Sequence, residues 1–167
     1  FHQKWGLGSS STLIYMLAQW AEVDAYKLLE LTFGGSGYDI ACAGNDSPIL
    51  YQRSEGVPQV FQTNFYPDFS DQLFFVYLNK KQNSREAIAN YRKQPEARKK
   101  EAIQKVSGIT ETLLTVDSIF SFNVLIEAHE RIIASVLNIP TVKQNLFPDF
   151  KGSIKSLGAW GGDFILA

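Results

Sequence analysis

The feature that most constrains this chain is a short glycine- and serine-rich segment leading directly into an apolar segment with helical spacing. The segment reads Gly6-Leu7-Gly8-Ser9-Ser10-Ser11, and Leu13-Ile14-Tyr15-Met16-Leu17 follows it. Glycine lets the backbone approach a ligand closely. The first N–H groups of a helix are unpaired, and the helix dipole places partial positive charge there. The segment therefore predicts an anion-binding loop, with phosphate as the usual ligand. An ordinary helix start is the alternative, because glycine and serine are common capping residues.

Two familiar phosphate loops do not fit this spacing. The P-loop, G-x-x-x-x-G-K-[ST], requires a lysine, and no lysine follows Gly8. The dinucleotide fingerprint, G-x-G-x-x-G, requires a third glycine at the position occupied by Ser11.

Two later segments are also rich in glycine. One reads Gly34-Gly35-Ser36-Gly37-Tyr38-Asp39-Ile40-Ala41, and the other reads Lys155-Ser156-Leu157-Gly158-Ala159-Trp160-Gly161-Gly162. Together with the first segment they resemble, in order, three motifs of the GHMP kinases: G-L-G-S-S-[AS], S-G-x-D and K-x-x-G-A-G-x-G-G. This superfamily contains galactokinase, homoserine kinase, mevalonate kinase and phosphomevalonate kinase. The Gly-Tyr-Asp-Ile-Ala sequence is most similar to the mevalonate and phosphomevalonate kinase branch, and we interpret it as the mark of a GYDIA-type subgroup.

The order of local patterns predicts an α+β fold: helices, two strands, a further strand, long helices and a glycine-rich turn into a strand. The resemblance implies the two-domain GHMP kinase fold. Residues 1–69 would form the rest of an N-terminal domain of the ribosomal-protein-S5-domain-2 type, and residues 70–167 a ferredoxin-like C-terminal domain. The active site would lie in the cleft between them. The first family motif and the family's final strand are not present, so we expect a chain that is incomplete at both ends and binds ATP weakly by itself.

The resemblance also implies roles for individual residues. Phosphoryl transfer needs a cradle for the triphosphate, a divalent cation and a group that orients or deprotonates the acceptor. Asp39 matches the catalytic aspartate, and Ser10 would bind Mg²⁺ through its hydroxyl, although capping of the helix is its alternative role. ATP would be held by backbone N–H groups of Gly6, Leu7, Gly8, Ser9, Ser10 and Ser11. The turn behind this loop would be formed by Gly158, Ala159, Gly161 and Gly162 of the third motif.

Other positions leave two interpretations open. Glu30 is the nearest candidate for a second metal ligand, or a solvated helix residue. Trp160 stands where the family has glycine, and it either reshapes the acceptor pocket or packs under the turn. A cationic cluster after the predicted strand 73–78 suits an anionic acceptor, or forms a solvated loop. Its members are Lys80, Lys81, Ser84 and Arg85.

Periodicity and composition predict further features of the fold. Leu13, Leu17 and Trp20 share one helical face and are expected in the core. The apolar run 73–78 predicts a central strand. His129 is interpreted as a helix-surface residue, because the second histidine of H-E-x-x-H is missing. Cys42, the single cysteine, is expected to be a buried structural thiol.

Charge and hydropathy narrow the class of protein. Sixteen basic and seventeen acidic residues give a net charge of −1, so no large basic surface predicts nucleic-acid binding. No apolar run has membrane-spanning length, and a single cysteine is compatible with the cytoplasm. The sequence carries no signal for an oligomeric state.

From the three motifs together with these properties, we expect a cytoplasmic, ATP- and Mg²⁺-dependent kinase that phosphorylates a hydroxyl or phosphate oxygen of a small anionic metabolite such as mevalonate or phosphomevalonate. The alternatives are a sugar or homoserine kinase, and a non-catalytic module that binds a nucleotide or metabolite.

Overall fold

The computed structural model describes residues 9–80, 84–158, 160 and 163–167. The chain divides into two compact units, which meet in sequence between Phe65 and Tyr66.

The first unit combines three helices with a β-hairpin. The helices are α1 (Ser9–Trp20), α2 (Ala25–Thr32) and α3 (Tyr38–Ala43), and the strands are β1 (Ile49–Ser54) and β2 (Val57–Gln62). Asp24 caps the start of α2 as expected: its carboxylate accepts a hydrogen bond from the Lys27 backbone N–H at 2.7 Å. The strands pair antiparallel around Glu55 and Gly56, which both have positive φ angles.

The core of this unit lies on a different face of α1 from the one that periodicity predicts. Ile14 and Ala18 are buried, whereas Leu13, Leu17 and Trp20 are 55%, 42% and 84% exposed, so the prediction of a core position for these three is wrong. Helix α1 packs against both α2 and α3. The small side chain at Ala18 permits close packing of the helix backbone, and this selects the Ile14–Ala18 face over its more apolar neighbour.

Among its described residues, the second unit contains four α-helices and a small sheet. Its helices are α4 (Ser84–Arg92), α5 (Glu96–Leu113), α6 (Ile119–Leu137) and α7 (Val142–Leu146). Its strands are β3 (Phe75–Tyr77), β4 (Lys155–Ser156) and β5 (Phe164–Leu166). Ser118 caps α6 by accepting a hydrogen bond from the Ser121 backbone N–H. Asn138 ends the helix in the left-handed conformation.

The sheet has the order β3-β5-β4, and both pairings are antiparallel. The prediction of a central strand at 73–78 is therefore wrong in position: β3 is an edge strand, and Phe75 is 73% exposed. Strand β5 is central, and its Ile165 is almost fully buried with Val142 and Ile154. In the same unit, Phe69 and Phe122 are also buried, with ring centroids 5.3 Å apart.

Helices and antiparallel sheets occur in both units, so the predicted α+β class is confirmed at this level. Within the described ranges, no helix combines the length and the apolar character needed to cross a membrane.

Candidate functional site

The predicted phosphate loop is described only from Ser9 onward; Gly6, Leu7 and Gly8 lie outside the described residues. Ser9 and Ser10 are exposed in the first turn of α1, and Ser11 is half-buried. The first N–H groups of an α-helix have no acceptor within the helix, which favours an anion at this end. Serine hydroxyls are hard oxygen donors of the kind that Mg²⁺ accepts. The described part of the loop therefore fits a magnesium-bound phosphate chemically.

The beginnings of α1 and α3 are joined by one hydrophobic cluster. Ile14 lies one helical turn after Ser10, and Ile40 directly follows Asp39. Both isoleucines are buried with Leu29 of α2. The cluster thus ties the serine-bearing turn and the predicted catalytic aspartate to the same core.

The loop before α3 depends on glycine. Gly34, Gly35 and Gly37 have φ angles of 65°, 117° and 85°. At Gly37 a Cβ atom would also lie 2.9 Å from Cδ1 of Tyr26 and 3.1 Å from the hydroxyl of Tyr51. Both the backbone conformation and the neighbouring rings therefore require glycine immediately before Tyr38 and Asp39.

Two side chains of β1 hold this loop, and sequence reasoning missed both. The Tyr51 hydroxyl donates a hydrogen bond to the Ser36 carbonyl oxygen. The Arg53 guanidinium donates to the Gly35 carbonyl oxygen at 3.3 Å and to the Gly56 carbonyl oxygen at 2.8 Å. Their separation by two residues in a predicted strand, which places them on one face, is the only sequence signal that could have indicated them.

Asp39 occupies the first turn of α3 and is exposed. Partial desolvation raises the pKa of its carboxyl group above the ordinary value, while a hydrogen bond from Tyr38 opposes that rise. Burial and the neighbouring Asp39 raise the pKa of Tyr38 to about 12. The phenol is therefore protonated at neutral pH and can donate to the carboxylate, and a raised pKa makes Asp39 a stronger base than an ordinary aspartate.

Cys42 lies one turn after Asp39 on α3 and is exposed, so the expectation of a buried thiol is wrong. Helix α3 buries Ile40 and Ala41 instead, which turns position 42 outward. Desolvation and the charge of Asp39 raise the pKa of the Cys42 thiol. Exposure therefore does not make this thiol reactive at neutral pH, because the thiolate is the nucleophile.

The third predicted motif forms the connection between the antiparallel strands β4 and β5. The Leu157 N–H donates to the Phe164 carbonyl oxygen at 3.2 Å. Gly158 has a φ of 69°, and space is open beside its Cα. Ala159, Gly161 and Gly162 lie outside the described residues.

Trp160 packs within its own unit. Its ring lies 5.5 Å from the ring of Tyr91 on α4, centroid to centroid, at an angle of 35°. It also lines a cavity of about 20 Å³ together with Glu130 and Ser156. The φ of Trp160 is 55°, a conformation that suits glycine better. The observed contacts support the packing role, and a role in an acceptor pocket stays a prediction.

A buried charged cluster links α6 to the start of the third motif. Glu130 is 6% exposed and accepts hydrogen bonds from the Ser156 hydroxyl at 2.9 Å and the Lys155 ammonium at 3.4 Å. Burial by itself raises the pKa of Glu130, but His129, Lys155 and Ser156 outweigh it and hold the pKa below its usual range. Burial lowers the pKa of Lys155 despite the opposing charge of Glu130.

His129 belongs to this cluster rather than to the exposed surface. Its side chain is 15% exposed, and its Nδ1 lies 3.7 Å from Oε1 of Glu130, so the expectation of a surface histidine is wrong. Nδ1 is buried without a hydrogen-bond partner among the described residues.

Of the predicted acceptor cluster, only Lys80 is described with its side chain, which is exposed. The Lys80 carbonyl oxygen accepts a hydrogen bond from the Asp163 N–H at 3.0 Å, so Asp163, the residue after the third motif, lies next to the residues after β3. Lys81 and the side chains of Ser84 and Arg85 lie outside the described residues.

Glu30 is exposed on α2, one residue after buried Leu29. Across the described part of the chain, no group of three or more histidine, cysteine, aspartate or glutamate residues could hold a metal ion. The assignment of Glu30 as a second metal ligand stays a prediction.

Comparisons of the chain with protein-family models, with curated proteins and with solved structures find no match.

Proposed function

We propose that this protein is an ATP- and Mg²⁺-dependent kinase of the GHMP type, which transfers the γ-phosphoryl group to a small anionic metabolite such as mevalonate or phosphomevalonate. The proposal rests on the resemblance of three segments, in order, to the motifs of that superfamily. The structural observation that carries it is the shared core of Ile14, Leu29 and Ile40, which anchors both the serine-bearing start of α1 and the aspartate-bearing start of α3.

The chemistry assigns distinct roles to these two helix starts. The first turn of α1 binds phosphate oxygens through backbone N–H groups, and Ser10 supplies a hydroxyl ligand to the cation. Bound Mg²⁺ neutralises negative charge on the phosphates during transfer. Asp39 accepts the proton of the acceptor hydroxyl while that oxygen forms a bond to the γ-phosphorus. The bond from the γ-phosphorus to its bridging oxygen breaks, and ADP leaves. The raised pKa of Asp39 favours this proton transfer.

A sugar or homoserine kinase of the same superfamily is the alternative enzyme. The exposed Lys80 favours an anionic acceptor over galactose. A non-catalytic module would bind ATP through the same helix start without transferring phosphate.

The test is Mg²⁺-dependent ADP release by the complete protein with mevalonate, phosphomevalonate, galactose and homoserine as acceptors. Asp39→Asn removes the proposed base, and Asp46→Asn is the matched control, because Asp46 is exposed in the same unit after α3. We expect turnover with one anionic acceptor, a loss of about 10²- to 10⁴-fold in Asp39→Asn, and no change in Asp46→Asn.

Turnover that survives in Asp39→Asn would contradict the assigned base. ATP binding without turnover on any of the four acceptors would contradict this acceptor class and favour the binding module.

A further inference from the structure

Glu130 of α6 is a buried charged residue that contacts the start of the third motif. Glu130 lies in α6, among residues that are mostly apolar, and it is nearly inaccessible to solvent. A buried carboxylate costs more free energy than an apolar residue of similar size, even when it is paired. Such a group is retained in some proteins because it fixes one geometry among several.

All described partners of the Glu130 carboxylate that lie outside α6 belong to β4. They are the Lys155 ammonium and the Ser156 hydroxyl, the two residues that directly precede Leu157 and Gly158. The Lys155 ammonium additionally donates to the Ser156 carbonyl oxygen at 3.0 Å. The carboxylate and the backbone of β4 thus share one ammonium group.

Trp160, which follows Gly158 in the chain, also lies close to Glu130. Trp160 lines the cavity of about 20 Å³ that Glu130 and Ser156 line as well. This volume accommodates about one water molecule, so the cavity is a packing space and not a ligand pocket. Glu130 is therefore near the residues on both sides of Gly158.

We propose that Glu130 is a positioning residue, which fixes Leu157, Gly158 and Trp160 through Lys155 and Ser156 and so sets the nucleotide affinity of the kinase. The second half of this inference rests on the proposed function, whereas the first half concerns this unit alone. Glu130 touches neither nucleotide nor acceptor in this assignment; it acts through the turn.

A matched control exists on the same helix. Glu127 lies one turn earlier in α6 and accepts a hydrogen bond from the Lys143 ammonium at 2.9 Å. Its side chain is 40% exposed, and its described partner belongs to α7 instead of β4. Glu127→Gln therefore removes an ion pair of the same type without touching the turn.

The first experiment measures acrylamide quenching of Trp160 fluorescence without nucleotide, in a Trp5→Phe/Trp20→Phe background that leaves Trp160 as the only tryptophan. We expect quenching to rise in Glu130→Gln and in Ser156→Ala, and to stay unchanged in Glu127→Gln. Ser156→Ala removes one hydroxyl and serves if Glu130→Gln does not fold. Unchanged quenching in the folded Glu130 or Ser156 variant would overturn the positioning role, as would an equal rise in Glu127→Gln.

The second experiment measures kcat and the KM for ATP of the same variants in the complete protein. We expect the KM to rise by about 10- to 100-fold in Glu130→Gln, because small displacements of positioning groups have effects of this size, with a smaller change in kcat. An unchanged KM together with increased quenching would overturn the link to nucleotide affinity. If the starting protein turns over no ATP, the proposed function fails by itself, and the quenching comparison still decides whether Glu130 positions the turn.

Discussion

The hydroxyl of Tyr51 donates a hydrogen bond to the carbonyl oxygen of Ser36. This contact connects the β-hairpin to the glycine loop that precedes Asp39, and Arg53 reinforces it from the same strand. Gly34, Gly35 and Gly37 of this loop have positive φ angles, and no atom lies within 4 Å of a Cβ atom built at Gly34 or Gly35. The hairpin therefore acts as the scaffold that holds the start of α3 in place.

Alanine at position 37 should destabilise the first unit more than alanine at position 56. Both glycines have a φ of 85°, but only at Gly37 would a Cβ atom collide with Tyr26 and Tyr51. We expect Gly56→Ala to cost about 1–2 kcal/mol for the left-handed backbone alone, and Gly37→Ala about 2–5 kcal/mol because overpacking adds to it. Native-state hydrogen exchange of the β1 amides measures both values. Equal losses would show that the two tyrosine rings move aside.

Removal of the Tyr38 hydroxyl should raise the pKa of Asp39 further. The hydrogen bond from Tyr38 stabilises the ionised carboxylate, and phenylalanine keeps the ring that desolvates it. In the proposed kinase, the acidic limb of kcat/KM should therefore move to higher pH in Tyr38→Phe. A ¹³C NMR titration of the Asp39 carboxyl group measures the pKa directly, with Tyr26→Phe as the control. A lower pKa in Tyr38→Phe would contradict the assigned hydrogen bond.

Neutralisation of Asp39 should make Cys42 more reactive. Desolvation raises the pKa of the thiol first, and the negative charge of Asp39 adds to that rise. In Asp39→Asn the second contribution disappears, so the midpoint of the pH dependence of iodoacetamide alkylation should shift to lower pH. Asp46→Asn provides the comparison. An identical midpoint in Asp39→Asn would show that the two side chains do not interact.

Glu130 should contribute to stability in the range where its carboxyl group is ionised. Its pKa in the folded protein lies below the ordinary value of 4.5. The contribution is therefore complete above the pKa of the unfolded chain and is lost as the pH falls through the pKa of the folded protein. Urea unfolding measured from about pH 7 down to about pH 3 should show a flatter acid limb for Glu130→Gln. An acid limb as steep as that of the unmodified protein would assign the effect to other carboxylates.

Truncation of the central strand should cost far more than truncation of the edge strand. Ile165 of β5 is 1% exposed, and Val76 of β3 is 37% exposed, although the two residues are paired. We expect Ile165→Ala to cost about 2–5 kcal/mol, and Val76→Ala clearly less, because solvent can occupy the space it leaves. Urea unfolding, monitored by the fluorescence of Trp160, measures the free energy of unfolding of both variants. Similar losses of stability would argue against β5 as the central strand.

Local signals explain which parts of the fold the sequence predicts correctly. Asp24 and Ser118 each cap a helix whose beginning was expected at that point, because a cap depends only on residues within one turn. Positions that depend on distant partners were misplaced. Which face of α1 is buried depends on α2 and α3, and the edge position of β3 in the sheet depends on its pairing with β5.

The candidate site shows the same division. The glycine motifs point to the segments around Asp39 and Gly158 from short stretches of sequence, and the role of these segments stays a prediction. By contrast, Tyr51 and Glu130 act on residues far from them in the chain, and each is an unremarkable residue in its own element. A glutamate among the apolar residues of α6 could equally have faced solvent, so only the folded structure reveals the burial of Glu130 and its contacts with Lys155 and Ser156.

The pairing of β3 with β5 has a consequence during synthesis. Val76 leaves the ribosome long before its partner Ile165, and the helices α4 to α7 are made in between. Contacts of such long sequence separation form late in folding. The nascent chain therefore carries the apolar segment Phe74-Phe75-Val76 without its partner strand until β5 emerges, and unpaired strand edges of this kind are where aggregation begins and chaperones bind.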